Sequence, residues 1–391
     1  MSTSPRIAVM SSGLGHVARG IETWAASVAI ELDRRGIDVT LLKGGGVAER
    51  PYEKVVRCLQ RQKKVAGVAV RMAPAFAWRL GLHQTYDLEQ TTFAASVLPH
   101  LIRRRYDLIH LQDPWLGYLL EKTRRLHGAS VILGHGTEED PWLLRKFQHV
   151  QELSPFYLKR HGDLEGRQWF AVPNFVDTAR FRPGDQAAAR REFGLPQDAL
   201  VVLCVSALNR SKKRIDWLAR EFANANRSDA MLVVAGARDP ESAELIVEVN
   251  SRLGDRVRVL ENVPHSRMAT LHQTADVHVN CALMEVMAIS ILESMASGVP
   301  NFGHRWGSVE WVIGDTGRIV DMEQPGALSA ELASLNRQDC RRLGLAARRR
   351  VVETYSVEAV VDQMLAMYDQ VLFTRAGGDR RATTRFSSGL T

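Results

Sequence analysis

One cadence runs through most of this chain: a short apolar run, a loop carrying glycine or serine, then a segment with helical spacing. Residues 6–10 form such a run, closed by Ser11-Ser12-Gly13-Leu14-Gly15. Residues 21–35 follow, with Trp24, Val28 and Leu32 on one stripe before Gly36. The runs at 38–42, 108–111, 131–133 and 170–172 repeat the pattern. Continuously apolar strands alternating with helices indicate parallel sheets covered on both faces. After a stretch rich in proline and glycine the cadence restarts at 200–205, 231–235, 257–260, 276–279 and 318–320. The expectation is an α/β protein of two doubly wound domains, 1–172 and 186–355, joined by a linker at 173–185. A C-terminal helix at 356–375 packs back towards the first domain, and 376–391 is a mobile tail. Residues 47–100 fit the cadence poorly and are expected to be helical and variable.

The length of 391 residues agrees with two domains, because a single core stops growing at roughly 250–300 residues. Lys+Arg at 51 against Asp+Glu at 44 gives a net charge of +7, yet no nucleic-acid recognition motif accompanies it, so no nucleic-acid partner is expected. The arginine triplets at 103–105 and 348–350 read as solvated helix ends. Segment 57–78 differs: Arg57, Arg61, Lys63 and Lys64 precede Phe76 and Trp78, and basic residues beside aromatics can seat a helix on an anionic membrane. There is no uncharged apolar run of about 18 residues and no signal-peptide core, since Ser11-Ser12-Gly13 breaks the first apolar stretch at once. The expected location is cytoplasmic, with peripheral contact to the inner face of the membrane through 57–78. Cys58, Cys204, Cys281 and Cys340 lack Cys-x-x-Cys spacing and read as buried thiols in a reducing compartment.

Chemistry concentrates in Glu285-Val-Met-Ala-Ile-Ser-Ile-Leu-Glu293-Ser-Met-Ala-Ser-Gly298-Val-Pro300. With a helix running from residue 286, eight residues at about 1.5 Å each set the two carboxylates about 12 Å apart. Glu285 then faces a reacting group and Glu293 can accept from a vicinal diol such as a ribose. The free N–H groups around Ala288 and Ile289 offer an anion site between them. An elongated ligand ordered sugar, diphosphate, ribose fits; two surface glutamates on an amphipathic helix would also give this spacing. Arg210-Ser-Lys-Lys213-Arg214 follows a strand, where cations can neutralise a leaving diphosphate or simply solvate a helix start. Gly13 and Gly15 permit close backbone approach to a ligand, although their spacing is not that of a dinucleotide fingerprint. Asp113 can orient an acceptor hydroxyl or cap a helix before Pro114. Glu138-Glu139-Asp140 has no histidines at ligand spacing, and no Asp-x-Asp occurs, so no metal and no cofactor beyond a co-substrate are expected.

Taken in order, these segments resemble the family 4 (group 1) retaining glycosyltransferases. The signature is the Glu-x7-Glu pair with the Ala-x-Gly-x-Pro run at 296–300. Gly20-Ile21-Glu22, Tyr106-Asp107-Leu108-Ile109-His110, Val172-Pro173-Asn174-Phe175-Val176-Asp177 and Lys213-Arg-Ile-Asp216 agree in order and spacing, so the likeness covers roughly residues 6 to 370. It implies a GT-B fold, two Rossmann-like domains facing across a cleft. It also implies transfer of a sugar from a nucleotide-diphosphate donor, UDP- or GDP-linked, to an acceptor hydroxyl with retention. His135 corresponds to a histidine that contacts the transferred sugar, although a structural histidine reads the same way. Base contacts are made by backbone near Val263. Two departures stand out: Val286-Met287-Ala288 replaces the usual Gly-Phe-Gly, and the usual arginine position falls on Leu208, leaving Arg210 as the substitute. Rival readings on the same architecture are an inverting transferase with His16 as base, a sugar-nucleotide epimerase, and a non-catalytic nucleotide-sugar binder.

Overall fold

Ile7–Ser11 is buried along its whole length, as are Leu108–Leu111 and Ser130–His135, and strands without a solvent face need cover on both sides. The computed structural model describes residues 4–17, 19–74, 77, 81–162 and 166–375. It divides into two compact units, Met1–Val172 with Val361–Thr391, and Pro173–Val360. Phe76, Trp78 and the tail 376–391 lie outside the described residues.

The first unit holds seven parallel strands: β1 (Ile7–Ser11), β2 (Val39–Lys43), β3 (Glu53–Val55), β4 (Leu108–Leu111), β5 (Ser130–His135), β6 (His149–Glu152) and β7 (Gln168–Ala171), in the order β3-β2-β1-β4-β5-β6-β7. Helix Gly20–Arg34 buries Trp24, Val28 and Leu32, the stripe read from the sequence. Met10, Leu42, Phe93, Val97, Ile109, Leu116 and Val131 belong to one core. The last helix joins this unit through Tyr368, whose hydroxyl lies 2.7 Å from His110 Nδ1. Burial holds the His110 imidazole at a pKa of about 3, so the ring is neutral there.

The second unit holds six parallel strands: β8 (Leu200–Val205), β9 (Ala230–Gly236), β10 (Val257–Glu261), β11 (Val277–Asn280), β12 (Asn301–His304) and β13 (Arg318–Val320), in the order β10-β9-β8-β11-β12-β13. Segment 173–185 is not a free tether. Phe175, Val176 and Phe181 are buried, Val176 N donates to the Tyr355 carbonyl at 2.9 Å, and Arg348 binds the Phe181 and Ala296 carbonyls.

Three strands correct the sequence reading. β3 is a short, mostly exposed edge in the region expected to be helical; β6 and β12 are fully buried but carry histidine, glutamine, glutamate and asparagine, which break an apolar run. Of the cysteines, Cys58 is only half-buried.

Two glycines hold matching places. A Cβ on Gly44, just past β2, would lie 1.8 Å from the Ser12 carbonyl oxygen, and one on Gly236, closing β9, would lie 1.7 Å from the Ser206 carbonyl oxygen. Each lets a strand end pass the loop that follows the unit's first strand. Gly236→Ala should therefore cost about 1–3 kcal/mol through overpacking. Gly67→Ala, in a helix with nothing within 4 Å of the added carbon, should gain about 0.5–1 kcal/mol. Urea midpoints moving in the same direction for both variants would contradict this.

Candidate functional site

Strand order reverses at β1/β4 in the first unit and at β8/β11 in the second. In open parallel sheets, ligands bind beyond the carboxyl ends of strands at such a switch point. Most residues singled out from the sequence follow these four strands.

In the second unit, β8 leads into Asn209, whose Oδ1 accepts from the backbone N–H of Lys213 at 2.8 Å and of Lys212 at 3.2 Å. This turn aims Lys213 at β11, where its Nζ binds Glu285 Oε1; Asn280 Nδ2 approaches the same oxygen at 3.4 Å. Two motifs 72 residues apart thus meet. Glu285 does not begin a helix. The chain is non-helical through Ala288, and the helix is Ile289–Ala296, with no side chain capping its start and no acid in its first turn. The expected axial separation along one continuous helix is therefore replaced by a non-helical step and about one turn of helix. Val286 and Met287 are buried, and Met287 Sδ lies 3.2 Å from Asn174 N, so the residues replacing Gly-Phe-Gly serve packing.

Glu293 is buried on that helix. His272 Nε2 lies 3.3 Å from Oε2 and His265 Nε2 3.6 Å from Oε1. Burial pushes its carboxyl up, but hydrogen bonding and charge from His265 and His272 outweigh this and hold it at about 2. Arg210 is turned elsewhere: its guanidinium pairs with Glu248 and its N–H donates to Glu241 at 2.7 Å. It is not brought to Lys213 and Glu285. Leu208 is core, and Val263 is half-buried just past β10.

In the first unit, Gly13, Gly15 and His16 follow β1. Gly15 has φ +97°, and a Cβ there would lie 2.2 Å from the Gly45 carbonyl oxygen. His16 Nε2 is 2.8 Å from Glu89 Oε2, while Nδ1 is buried without a partner among the described residues. Glu89, fully buried, also accepts from Arg61 N at 2.8 Å and Arg61 Nε at 3.1 Å, and Ser12 Oγ lies 3.2 Å from its Oε1. Burial raises its carboxyl, but bonds from His16 and Arg61 hold it at about 2. Asp113, also buried, accepts from Ser12 N at 2.8 Å, Ser12 Oγ at 3.1 Å and Tyr86 OH at 2.8 Å, so both oxygens are taken by internal donors. The Arg61 guanidinium stacks 3.9 Å over Tyr86. Glu89, with Gln90, lies on the stripe of Phe93, Val97 and Leu101; a carboxylate on an apolar stripe was the available signal.

His135 closes β5 and binds Glu152, which also binds His161; neither partner drew notice in the sequence. These three are the one group among the described residues with metal-ligand proximity, their ligand atoms lying within 4.8 Å of one another. The N···O separations of 2.7 and 2.8 Å are those of hydrogen bonds. Two ligands on one zinc ion stay about 3.3 Å apart. In this arrangement Glu152 is hydrogen-bonded to both imidazoles.

Comparison with known proteins agrees with this layout. The family described as "Glycosyl transferases group 1" matches residues 199–338. The D-inositol 3-phosphate glycosyltransferase of Segniliparus rotundus is 32% identical over 391 residues, covering 91% of this chain and 85% of its own. Sucrose-phosphate synthase from Thermosynechococcus elongatus superposes with a TM-score of 0.78 at 21% identity, over 95% of this chain and 100% of that one. Anabaena HepE in complex with UDP-glucose gives 0.72 at 13% identity, over 93% and 99%.

The Glu89 network carries a testable pH dependence. A carboxyl held at about 2, against an ordinary 4.5, contributes stability that is complete above pH 4.5 and lost as pH falls through 2. Glu89→Gln should start about 3–5 kcal/mol less stable, since it strands Arg61, and lose less across that window. Parallel acid-unfolding curves followed by tryptophan fluorescence would overturn the assignment.

Proposed function

Because this chain belongs to the group 1 glycosyltransferases, with the GT-B fold, we propose that it moves a sugar from a nucleotide-diphosphate donor to an acceptor hydroxyl with retention at the anomeric carbon. The observation that carries this reading is the meeting of Lys213 with Glu285 beside the uncapped start of helix Ile289–Ala296. A cation and a row of N–H groups suit the diphosphate, whose charge grows as the bond from the anomeric carbon to phosphate oxygen breaks. Glu285 positions the sugar, and Glu293, ionised between two histidines, accepts from the ribose diol. The acceptor oxygen forms the new bond on the face the phosphate leaves, and its proton passes to the departing phosphate oxygen. No protein nucleophile is required; binding supplies orientation. Lys213 already lies at Glu285, whereas Arg210, paired with Glu248, would have to move there to join it.

An inverting route through His16 needs a free imidazole nitrogen facing the acceptor. Here Nε2 is held by Glu89 and Nδ1 is buried. HepE was crystallised with UDP-glucose, which makes UDP-sugars the first donors to try in a panel that includes GDP- and ADP-sugars. Anomer assignment of the product by NMR tests the mechanism: an α donor should give an α product, and a β product would sink it. Glu285→Gln should lower kcat by about 10²–10³-fold with UDP affinity unchanged. Glu293→Ala should weaken UDP binding by about 1.5–3 kcal/mol in calorimetry.

Among the described residues no helix is long and apolar enough to cross a membrane. Helix Lys64–Met72 buries only Ala66 and exposes Val65, Val68 and Met72, with Lys63, Lys64 and Arg71 nearby. We place peripheral contact with anionic lipid on this face. Co-sedimentation with phosphatidylglycerol vesicles should fall for Val68→Asp/Met72→Asp and with added salt; equal pelleting of variant and parent would remove the proposal.

A further inference from the structure

β6 is fully buried although three of its four residues are polar, and in the sheet register its Glu152 pairs directly with His135 on β5. Glu152 Oε2 lies 2.7 Å from His135 Nδ1 and Oε1 lies 2.8 Å from His161 Nδ1. Both rings are clamped. His135 meets Tyr157 edge-on at 5.3 Å, and His161, ending helix Pro155–His161, meets Trp169 of β7 at 5.8 Å. Trp169 Nε1, His149 Nδ1 and Gln151 Oε1 are buried without a partner among the described residues, and so, on the ring that Glu152 holds, is His135 Nε2. Such an atom is costly unless a ligand completes it.

We infer that Glu152, braced by His161, fixes His135 in the Nδ1–H form, so that Nε2 is presented as an acceptor to a hydroxyl of the transferred sugar. An ionised carboxylate can only accept, so each imidazole must offer it a proton at Nδ1, and the neutral tautomer this selects for His135 carries its lone pair at Nε2. Burial alone would favour a neutral Glu152, but the bonds from His135 and His161 outweigh it and hold its carboxyl below the ordinary range, which keeps the acceptor ionised. His161 occupies the second oxygen and stops the carboxylate rotating. Glu152 and His161 are thus positioning residues. A fixed lone pair reads a hydroxyl and rejects its deoxy counterpart, because the buried nitrogen would stay unpaired. This inference rests on the reading of His135 as a sugar contact.

Long-range ¹H–¹⁵N correlation on the full chain labelled with ¹⁵N-histidine separates the two. His135, assigned through His135→Gln, should show a protonated Nδ1 and a bare Nε2 in the parent protein. Glu152→Gln and, independently, His161→Asn should mix the tautomers and lower kcat/KM by about 10–100-fold for the donor active in the panel, with UDP affinity held. The parent measurement needs no variant, so a Glu152→Gln chain that fails to fold leaves the test intact. An Nε2–H tautomer in the parent, or a tautomer unmoved in a folded Glu152→Gln or His161→Asn, would overturn the inference. If instead the tautomer is as expected but His135→Gln turns over normally and accepts the monodeoxy donors no better than the parent does, the sugar-contact reading is the one that fails, and the use assigned to Nε2 falls with it.

Discussion

Each sheet reverses its strand order at the first strand of its unit, and the place of most candidate residues follows from that reversal. From β1 the chain winds outward through β2 and β3, then returns to lay β4 on the other side; β8, β9, β10 and β11 repeat the manoeuvre. Right-handed crossovers send the connections after the two adjacent strands in opposite directions, leaving a gap over their carboxyl ends. Gly13, Gly15 and His16 follow β1, Asp113 follows β4, Lys213 and Arg210 follow β8, and Glu285 follows β11. His135 closes the next strand out. The loops come this close only because Gly44 and Gly236 carry no side chain against the Ser12 and Ser206 carbonyls.

The two switch points are finished differently. Above β1 and β4, Glu89 and Asp113 are fully buried and their oxygens are taken by Ser12, His16, Arg61 and Tyr86. A ligand would have to strand a buried donor to use them, which is expensive, so they hold the loop rather than the substrate. Above β8 and β11, Lys213 keeps a quarter of its side chain in water and its pairing with Glu285 is shared only with Asn280. An anion can reach that ammonium, because the pair is only partly buried. The helix start beside it has no competing cap. The same fold motif thus carries closed hydrogen-bond networks in one unit and a partly exposed ion pair beside an uncapped helix start in the other.

What could be read from the residue order divides along the same physical line. Both doubly wound units, and the Glu285 and Glu293 motif, are carried by apolar runs and fixed spacings, which are local signals. β6 and β12 escaped because their residues are polar yet buried, and such residues make sense only once their partners are known: Glu152 between His135 and His161, Asn301 bonded to His278. The helix expected from residue 286 begins at Ile289 because Val286 and Met287 are spent on the core, Met287 against Asn174. Arg210 looked like the obvious cation, but Glu248 on the neighbouring helix competes for it. Long-range partners of charged groups leave no periodic trace.

At His16, His272 and His135 an imidazole is joined to a buried carboxylate, and the nitrogen left over bears on what each can do. At His16, Glu89 takes Nε2 and the remaining Nδ1 faces Gly45, where a single added carbon would approach it to 2.6 Å; no substrate has room. At His272, Glu293 takes Nε2 while the ring packs between Phe181 and His278, so it can serve only by holding the carboxylate. At His135 the carboxylate takes Nδ1, the atom nearest the backbone, and leaves the outermost nitrogen at the end of a strand. The three pairs share one chemistry. Only in the last is the leftover nitrogen Nε2, on the residue that closes β5 at the sheet's carboxyl edge, which is where a parallel fold meets its ligands.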